Sequence, residues 1–209
     1  ARRHPSTNGD PVTVPEGPMP KAYFDEIYAS DDDPWAFETS WFEQRKYALT
    51  LAALPQAHYR RAFEPGCSNG ALTAELALRC DALHAYDFVE AVADRAKQRL
   101  RAHPHVEVGC GQFPDLWPIG TGDLVVWSEI AYYLDTPGRT VAEASLDRWL
   151  VPGGTLIAVH YTGETNYPST GAEISRWVDT LPFLERRTLV VDDLFELAVW
   201  ERTQTPGAS

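Results

Sequence analysis

Apolar and polar positions along this chain follow two periods, and the switches between them outline an α/β order. Around residues 23–28, Tyr23-Phe24-Asp25-Glu26-Ile27-Tyr28 has the spacing of a short amphipathic helix. Asp31-Asp32-Asp33-Pro34-Trp35 breaks that run with helix-initiating chemistry. A second helix is predicted over 40–54, stopped by Pro55, with Ser40 and Glu43 spaced as a capping box. The lead Arg61-Ala62-Phe63-Glu64 ends on an acid, enters a glycine turn over 66–70 and continues as a helical run over 71–77. Strand patterns follow at 83–87, 105–110, 123–128 and 155–160, with helical patterns at 89–100 and 141–150. The run Asp123-Leu124-Val125-Val126-Trp127-Ser128 has the strongest buried-strand pattern, and Val151-Pro152-Gly153-Gly154 reads as the turn before the fifth strand. Residues 166–180 read as an insertion and a helix. The β-rich runs 186–191 and 195–201 are joined only by Asp192-Asp193-Leu194, too short a link for a parallel crossover. The pattern predicts a doubly wound, mostly parallel, seven-stranded α/β sheet ending in an antiparallel hairpin strand.

Composition narrows the function. A chain of 209 residues with 44% hydrophobic content suits one domain, placed over 21–205, with residues 21–58 as a helical cap. Residues 1–20 hold five prolines and two glycines and read as a flexible leader. The formal charge of −12 opposes nucleic-acid binding, because a polyanion would be repelled. Cys67, Cys80 and Cys110 form no close pair and read as reduced thiols of a cytoplasmic protein. No apolar run is long enough to cross a membrane, and neither a repeat nor a metal-binding acid cluster is visible.

The glycine turn defines the ligand class. Reading from Gly66, position 68 is serine and position 71 alanine, so a dinucleotide fingerprint fails. Ala71-Leu72 is no Lys-Ser/Thr pair, so a phosphate loop fails too. A nicotinamide oxidoreductase is thereby discouraged. The remaining pattern, Glu64-x-Gly66-x-Ser68-x-Gly70, resembles the first motif of class I S-adenosylmethionine (SAM)-dependent methyltransferases, with serine replacing the middle glycine. Asp87 closes the second strand roughly twenty residues on, where an acid holds a ribose diol.

Three stretches sharpen the resemblance. They are Asp33-Pro34-Trp35 with Thr39-Ser40-Trp41-Phe42-Glu43-Gln44-Arg45-Lys46, Phe63-Glu64-Pro65-Gly66-Cys67-Ser68, and Trp127-Ser128-Glu129-Ile130-Ala131-Tyr132-Tyr133-Leu134. Together they resemble the nodulation-protein-S (NodS) family of methyltransferases over about residues 30–200, a group in which the Cys-Ser form of the motif is usual. The resemblance implies SAM as cofactor and a small-molecule acceptor. An amine of a sugar or amino-sugar leads; a hydroxyl acceptor and a non-catalytic SAM-binding module remain alternatives. It further implies a metal-independent reaction by a monomer or homodimer. Glu64, Gly66, Ser68, Gly70, Asp87 and Ser128 are the expected cofactor contacts. Gln112 would meet the adenine, with Asp115 as alternative, and Phe113 would stack or pack nearby. Trp35 would wall the site, and Arg45, one turn from Trp41, would grip the methionyl carboxylate; a salt bridge to Glu43 or Asp31 is its alternative. Beyond the strand ends, His160, Glu129 and Tyr132 are the catalytic candidates. His160 suits a base at neutral pH, or else is satisfied by a backbone partner. Glu129 could draw an ammonium or simply start a helix, and Tyr132 could line the pocket or only pack.

Overall fold

The computed structural model describes residues 17–31 and 33–204; of the expected leader, residues 1–16 lie outside them. Seven strands form one sheet: β1 (Tyr59–Pro65), β2 (Cys80–Asp87), β3 (Val106–Cys110), β4 (Gly122–Ser128), β5 (Leu150–Tyr161), β6 (Leu184–Val191) and β7 (Phe195–Arg202). Their order is β3-β2-β1-β4-β5-β7-β6, with β7 the reversed strand, paired antiparallel to both β5 and β6. Among the described residues six helices accompany them: α1 (Lys21–Ser30), α2 (Trp41–Ala53), α3 (Ala71–Ala77), α4 (Glu90–Arg99), α5 (Thr136–Trp149) and α6 (Gly171–Val178). One 3-10 turn, Ala131–Tyr133, follows β4.

Why β4 is apolar without alternation follows from its place. Leu124 and Val126 pack on one face with Ile157, Val159 and Leu197, while Val125 and Trp127 pack on the other with Leu156, Ala158 and Trp200. A central parallel strand is covered on both sides, so both of its faces must be apolar. Strand order reverses between β1 and β4, and the crevice that opens beyond their C-terminal ends is where an open α/β sheet binds ligands.

Three local readings are corrected. Ser40 gives no side-chain cap to α2, and Glu43 turns instead to Lys46. The Asp33 carboxylate caps the preceding turn, accepting the Phe37 and Glu38 N–H groups. A capping box is found instead at α6, between Thr170 and Glu173. Helix α5 begins five residues earlier than the apolar pattern, because Asp135 accepts the Gly138 N–H at 2.8 Å and Pro137 sits in the first turn. Strand β5 starts at Leu150, taking the expected Pro-Gly-Gly turn in as an irregularity of its register with β4.

Candidate active site

The β1–α3 loop is shaped by its backbone. Gly66 has φ +71°, and a Cβ there would meet Ile130 Cδ1 at 2.8 Å, so the loop stays bare toward the crevice. Ser68, where the motif's middle glycine would stand, adopts φ +48°, a conformation glycine takes more easily. Two contacts fix it there: its hydroxyl meets the Tyr28 hydroxyl at 2.7 Å, and its N–H donates to Asp87 Oδ2 at 3.0 Å. Gly70 also has positive φ, but its missing Cβ makes room for Ala96 of α4. Its role is packing.

Above the loop lies a cleft enclosing about 1160 Å³ of space that is open to solvent on one side. Its floor is the C-terminal ends of β1, β2 and β4, with Gly66, Asp87 and Ser128. Gln112 and Phe113 from the loop after β3 close one end. Aromatic rings of Tyr28, Trp35, Phe37, Phe42 and Tyr47 form the outer wall, and Tyr132, Tyr133 and Tyr161 the inner one. Pro18 and Met19 reach it as well; the Met19 N–H donates to the Tyr133 carbonyl at 3.1 Å.

The charged groups of this cavity are unevenly partnered. Glu64 is buried, its Oε2 makes no hydrogen bond within the protein, and burial pushes its carboxyl up to about 8. Asp87 is raised to about 6, again by burial, which the Val89 and Ser68 N–H groups oppose. Glu129 behaves oppositely. Burial would raise it, but the Lys46 ammonium at 2.5 Å, His160, and a hydrogen bond from the Tyr132 hydroxyl at 2.6 Å bring it down to about 2. Its Oε2 also accepts the Tyr161 N–H at 2.9 Å, and its backbone sits at φ +54°. Tyr132 is itself held far above its ordinary value by burial and by the Glu129 charge, so it stays a phenol.

A family model described as Nodulation protein S (NodS) matches residues 25–159 of this chain. The chain belongs to the NodS family. Nodulation protein S of Bradyrhizobium diazoefficiens is 31% identical over 189 residues, which is 85% of this chain and 88% of that protein. Nodulation protein S of Rhizobium tropici is 34% identical over 128 residues, 60% of this chain; the match spans only 54% of that relative's length. Among solved structures, a Pseudomonas syringae protein assigned provisionally as a methyltransferase is 37% identical, with TM-score 0.70 over 78% of this chain and 100% of its own. N-methyltransferase NodS from Bradyrhizobium japonicum WM9, in complex with S-adenosyl-L-homocysteine (SAH), has TM-score 0.73 over 88% of this chain and 98% of its own. At 23% identity that neighbour speaks for the fold, which is the class I SAM-dependent methyltransferase fold of the NodS family.

The site residues can now be placed within a NodS-family cavity. Trp35, Glu64, Gly66, Ser68, Asp87, Gln112, Phe113, Ser128, Glu129 and Tyr132 all line it. Three expected residues do not. Arg45 points to the far side of α2, paired with Asp192 at 2.7 Å and lying over the Phe195 ring. Gly70 faces α4. His160 is 1% exposed behind Tyr132, its Nε2 accepting the Ala131 N–H at 3.2 Å, so the backbone-partner alternative describes it. Burial lowers it to about 4, and it has no edge on the cavity. Lys46, Glu43 and Tyr28 are site residues that the sequence reading passed over.

The donor set fits SAM. A sulfonium and an α-ammonium suit aromatic faces and the buried Glu64 carboxyl, whose Oε2 makes no hydrogen bond, and a nucleoside suits Asp87 with Gln112 and Phe113. The bare Gly66 backbone supplies the close approach, and Lys46, the cation on the described lining, is already engaged by two carboxylates rather than set to grip phosphate.

Proposed function

We propose that this chain transfers a methyl group from SAM to an amine nitrogen of a small molecule, with an amino-sugar or glucosamine oligosaccharide as the acceptor class. The observation that carries the reading is the pairing, in one cavity, of the bare Gly66–Ser68 loop beside Asp87 with an ionised Glu129 bonded to the Tyr132 phenol. The name of the Bradyrhizobium japonicum neighbour, an N-methyltransferase, supports nitrogen as the target.

In this reading Asp87 holds the ribose hydroxyls, Gln112 and Phe113 the adenine, and Glu64 the methionyl ammonium. Bound SAM supplies a sulfonium methyl; the amine lone pair bonds to that carbon as the C–S bond breaks onto sulfur, leaving SAH, and the methylated ammonium releases a proton to water. What remains for the chain is alignment, desolvation and discharge of the amine before attack; positioning alone can contribute about 7–11 kcal/mol. Glu43 and Glu129 outnumber Lys46 in the acceptor half and draw a cationic acceptor inward. Tyr132 donates to Glu129 and takes a long hydrogen bond of 3.5 Å from the Tyr133 hydroxyl, so its remaining lone pair can only accept from an acceptor N–H, and that hydrogen bond fixes where the nitrogen lone pair points. A sugar hydroxyl would need a general base, and no histidine is on the described lining, which favours nitrogen over oxygen.

Two measurements test it. Calorimetric titration with SAH is expected to give micromolar-range binding that Asp87→Ala weakens about tenfold or more, through two lost ribose hydrogen bonds. Mass spectrometry of a glucosamine tetramer incubated with SAM is expected to add 14 mass units, about one CH₂, per transfer to a free amine, with the fully N-acetylated tetramer unchanged. Absence of SAH binding overturns the cofactor assignment; methylation of the N-acetylated tetramer overturns the amine assignment.

A further inference from the structure

Lys46 has 2% of its side chain exposed, and it is the cation among the described residues that line the cavity. Its ammonium lies 2.5 Å from Glu129 Oε1 and 2.9 Å from Glu43 Oε2, so a single buried point charge ties α2 to the residue that follows β4. The remaining Glu129 oxygen takes the Tyr132 hydroxyl and the Tyr161 N–H. We propose that Lys46 is a positioning residue for methyl transfer: clamped between Glu43 and Glu129, it holds the Glu129 carboxylate so that the Tyr132 hydroxyl hydrogen points away from the cavity and a phenol lone pair faces the acceptor amine. The inference rests on the amine-acceptor reading above and adds a residue to it.

The arrangement has the parts that such a device needs. Glu129 occupies the left-handed region, so its side-chain direction is set by an uncommon backbone conformation and must be held by partners. Without Lys46, one carboxylate oxygen would lose its counter-charge and Glu43 would face Glu129 with nothing between them. The groups facing Glu129 are Glu43, Lys46 and Tyr47 from α2, Tyr132 and Tyr133 after β4, and His160 of β5. Among these Lys46 carries the positive charge at neutral pH, since burial holds His160 neutral. Protonation of Glu129 would turn its carboxyl into a donor and free the Tyr132 hydroxyl hydrogen to rotate toward the acceptor, the wrong polarity for an amine N–H.

The test is a double-mutant cycle of Lys46→Met and Glu129→Gln, read on SAH affinity and on turnover of the glucosamine tetramer, with Lys46→Arg as a conservative control. Lys46→Met is expected to lower kcat about tenfold or more while leaving the SAH Kd within about threefold, and to cost little further in the Glu129→Gln background. Lys46→Arg should recover part of the loss. An additive loss in the double variant, or a parallel loss of SAH affinity, overturns the proposal. Infrared difference titration of the SAH-bound protein gives a second, acceptor-free readout: the Glu129 carboxylate should begin to protonate at higher pH in Lys46→Met than in wild type, and an unchanged titration overturns the proposal. A wild type that binds SAH and leaves the tetramer unmodified refutes the acceptor reading alone; the infrared comparison still decides Lys46. Should Lys46→Met fail to fold, Glu43→Gln relaxes one side of the clamp and is expected to reduce kcat with SAH affinity kept; no change in kcat overturns the proposal.

Discussion

Replacing Glu64 by glutamine isolates the most strongly raised carboxyl of the site. Glu64 is 2% exposed, one of its oxygens has no hydrogen-bond partner, and burial raises it from an ordinary 4.5 to about 8. A carboxyl raised on folding binds its proton more tightly in the native state. Its contribution to stability is therefore full below the unfolded value of 4.5 and is lost as pH rises through 8. The displacement sets a ceiling of about 5 kcal/mol at about pH 9. Water entering the adjoining cavity, and the new amide N–H groups left to find partners, reduce the net gain to about 2–3 kcal/mol. Glutamine keeps the shape and cannot ionise. Without cofactor, Glu64→Gln should match wild type at about pH 5 and exceed it by that margin at about pH 9, measured by urea denaturation across the range. Protonated at neutral pH in the free protein, Glu64 would ionise against the methionyl ammonium as the cofactor binds; glutamine cannot, so SAH affinity should fall, by about tenfold or more once pH reaches about 8. A stability difference that is constant with pH would mean that Glu64 is not the titrating group. A variant that gains stability and keeps SAH affinity would remove Glu64 from cofactor binding.

Other substitutions sort binding roles from structural ones. Gly66→Ala places a Cβ at positive φ and against Ile130, so it should cost about 1–3 kcal/mol of stability and lower SAH affinity, read by thermal melts with and without ligand. Arg45→Ala removes a pair on the outer face of α2 and should leave the SAH Kd within about twofold, as calorimetry would establish; a larger loss returns Arg45 to the cofactor site. His160 is lowered from 6.5 to about 4 by burial, so its stabilising contribution is present above 6.5 and is lost as pH falls toward 4. Subtracting the denaturation profile of His160→Phe should reveal that loss, at most about 3 kcal/mol, over this window. A tetramer-methylation profile whose acid limb follows His160 would contradict its placement behind Tyr132.

How much of this was legible differs by element, for physical reasons. The strands read well because covered faces demand apolar residues: β4 carries Leu124 to Trp127 without a break, and the short link 192–194 forces β7 antiparallel. The loop read well because Gly66 and Ser68 take backbone conformations that restrict residue choice. Helix α2 was harder. Its most deeply buried positions are Glu43, Lys46 and Thr50, flanked by half-buried Phe42, Tyr47, Leu49 and Leu51 that pack on the core, so the apolar stripe does not point to the polar centre. Trp41 and Arg45 do share a face, as one-turn spacing requires, but Trp41 is 75% exposed and that face looks outward. The spacing of Glu43 and Lys46 was the available signal for the inward one. For His160, strand period placed the ring at the correct sheet edge; the 3-10 turn Ala131–Tyr133 that covers it has no periodic signature.

The charged centre of the inward face of α2 bears directly on the chemistry. A helix gains most by burying an apolar stripe, so a buried Glu-x-x-Lys face loses that stabilisation and also desolvates charges. Packing alone gives no reason for the exchange, because an apolar face of similar volume would hold α2 on the sheet at least as well. A charged face is explained when a ligand shares the cavity and the charges act on it. With Glu43 and Glu129 on either side of Lys46, the acceptor half carries an excess of negative charge, which favours a protonated amine on arrival and opposes a carboxylate or phosphate ester. In the amine-acceptor reading proposed above, the amine must then shed its proton before its lone pair can act. Tyr132, locked as a donor to Glu129, can accept a hydrogen bond but not the proton itself, since its phenol is already protonated. With Glu129 held ionised by Lys46 and Tyr132 already a phenol, that reading sends the proton to water before attack, and the rate should climb with pH toward the acceptor's own pKa.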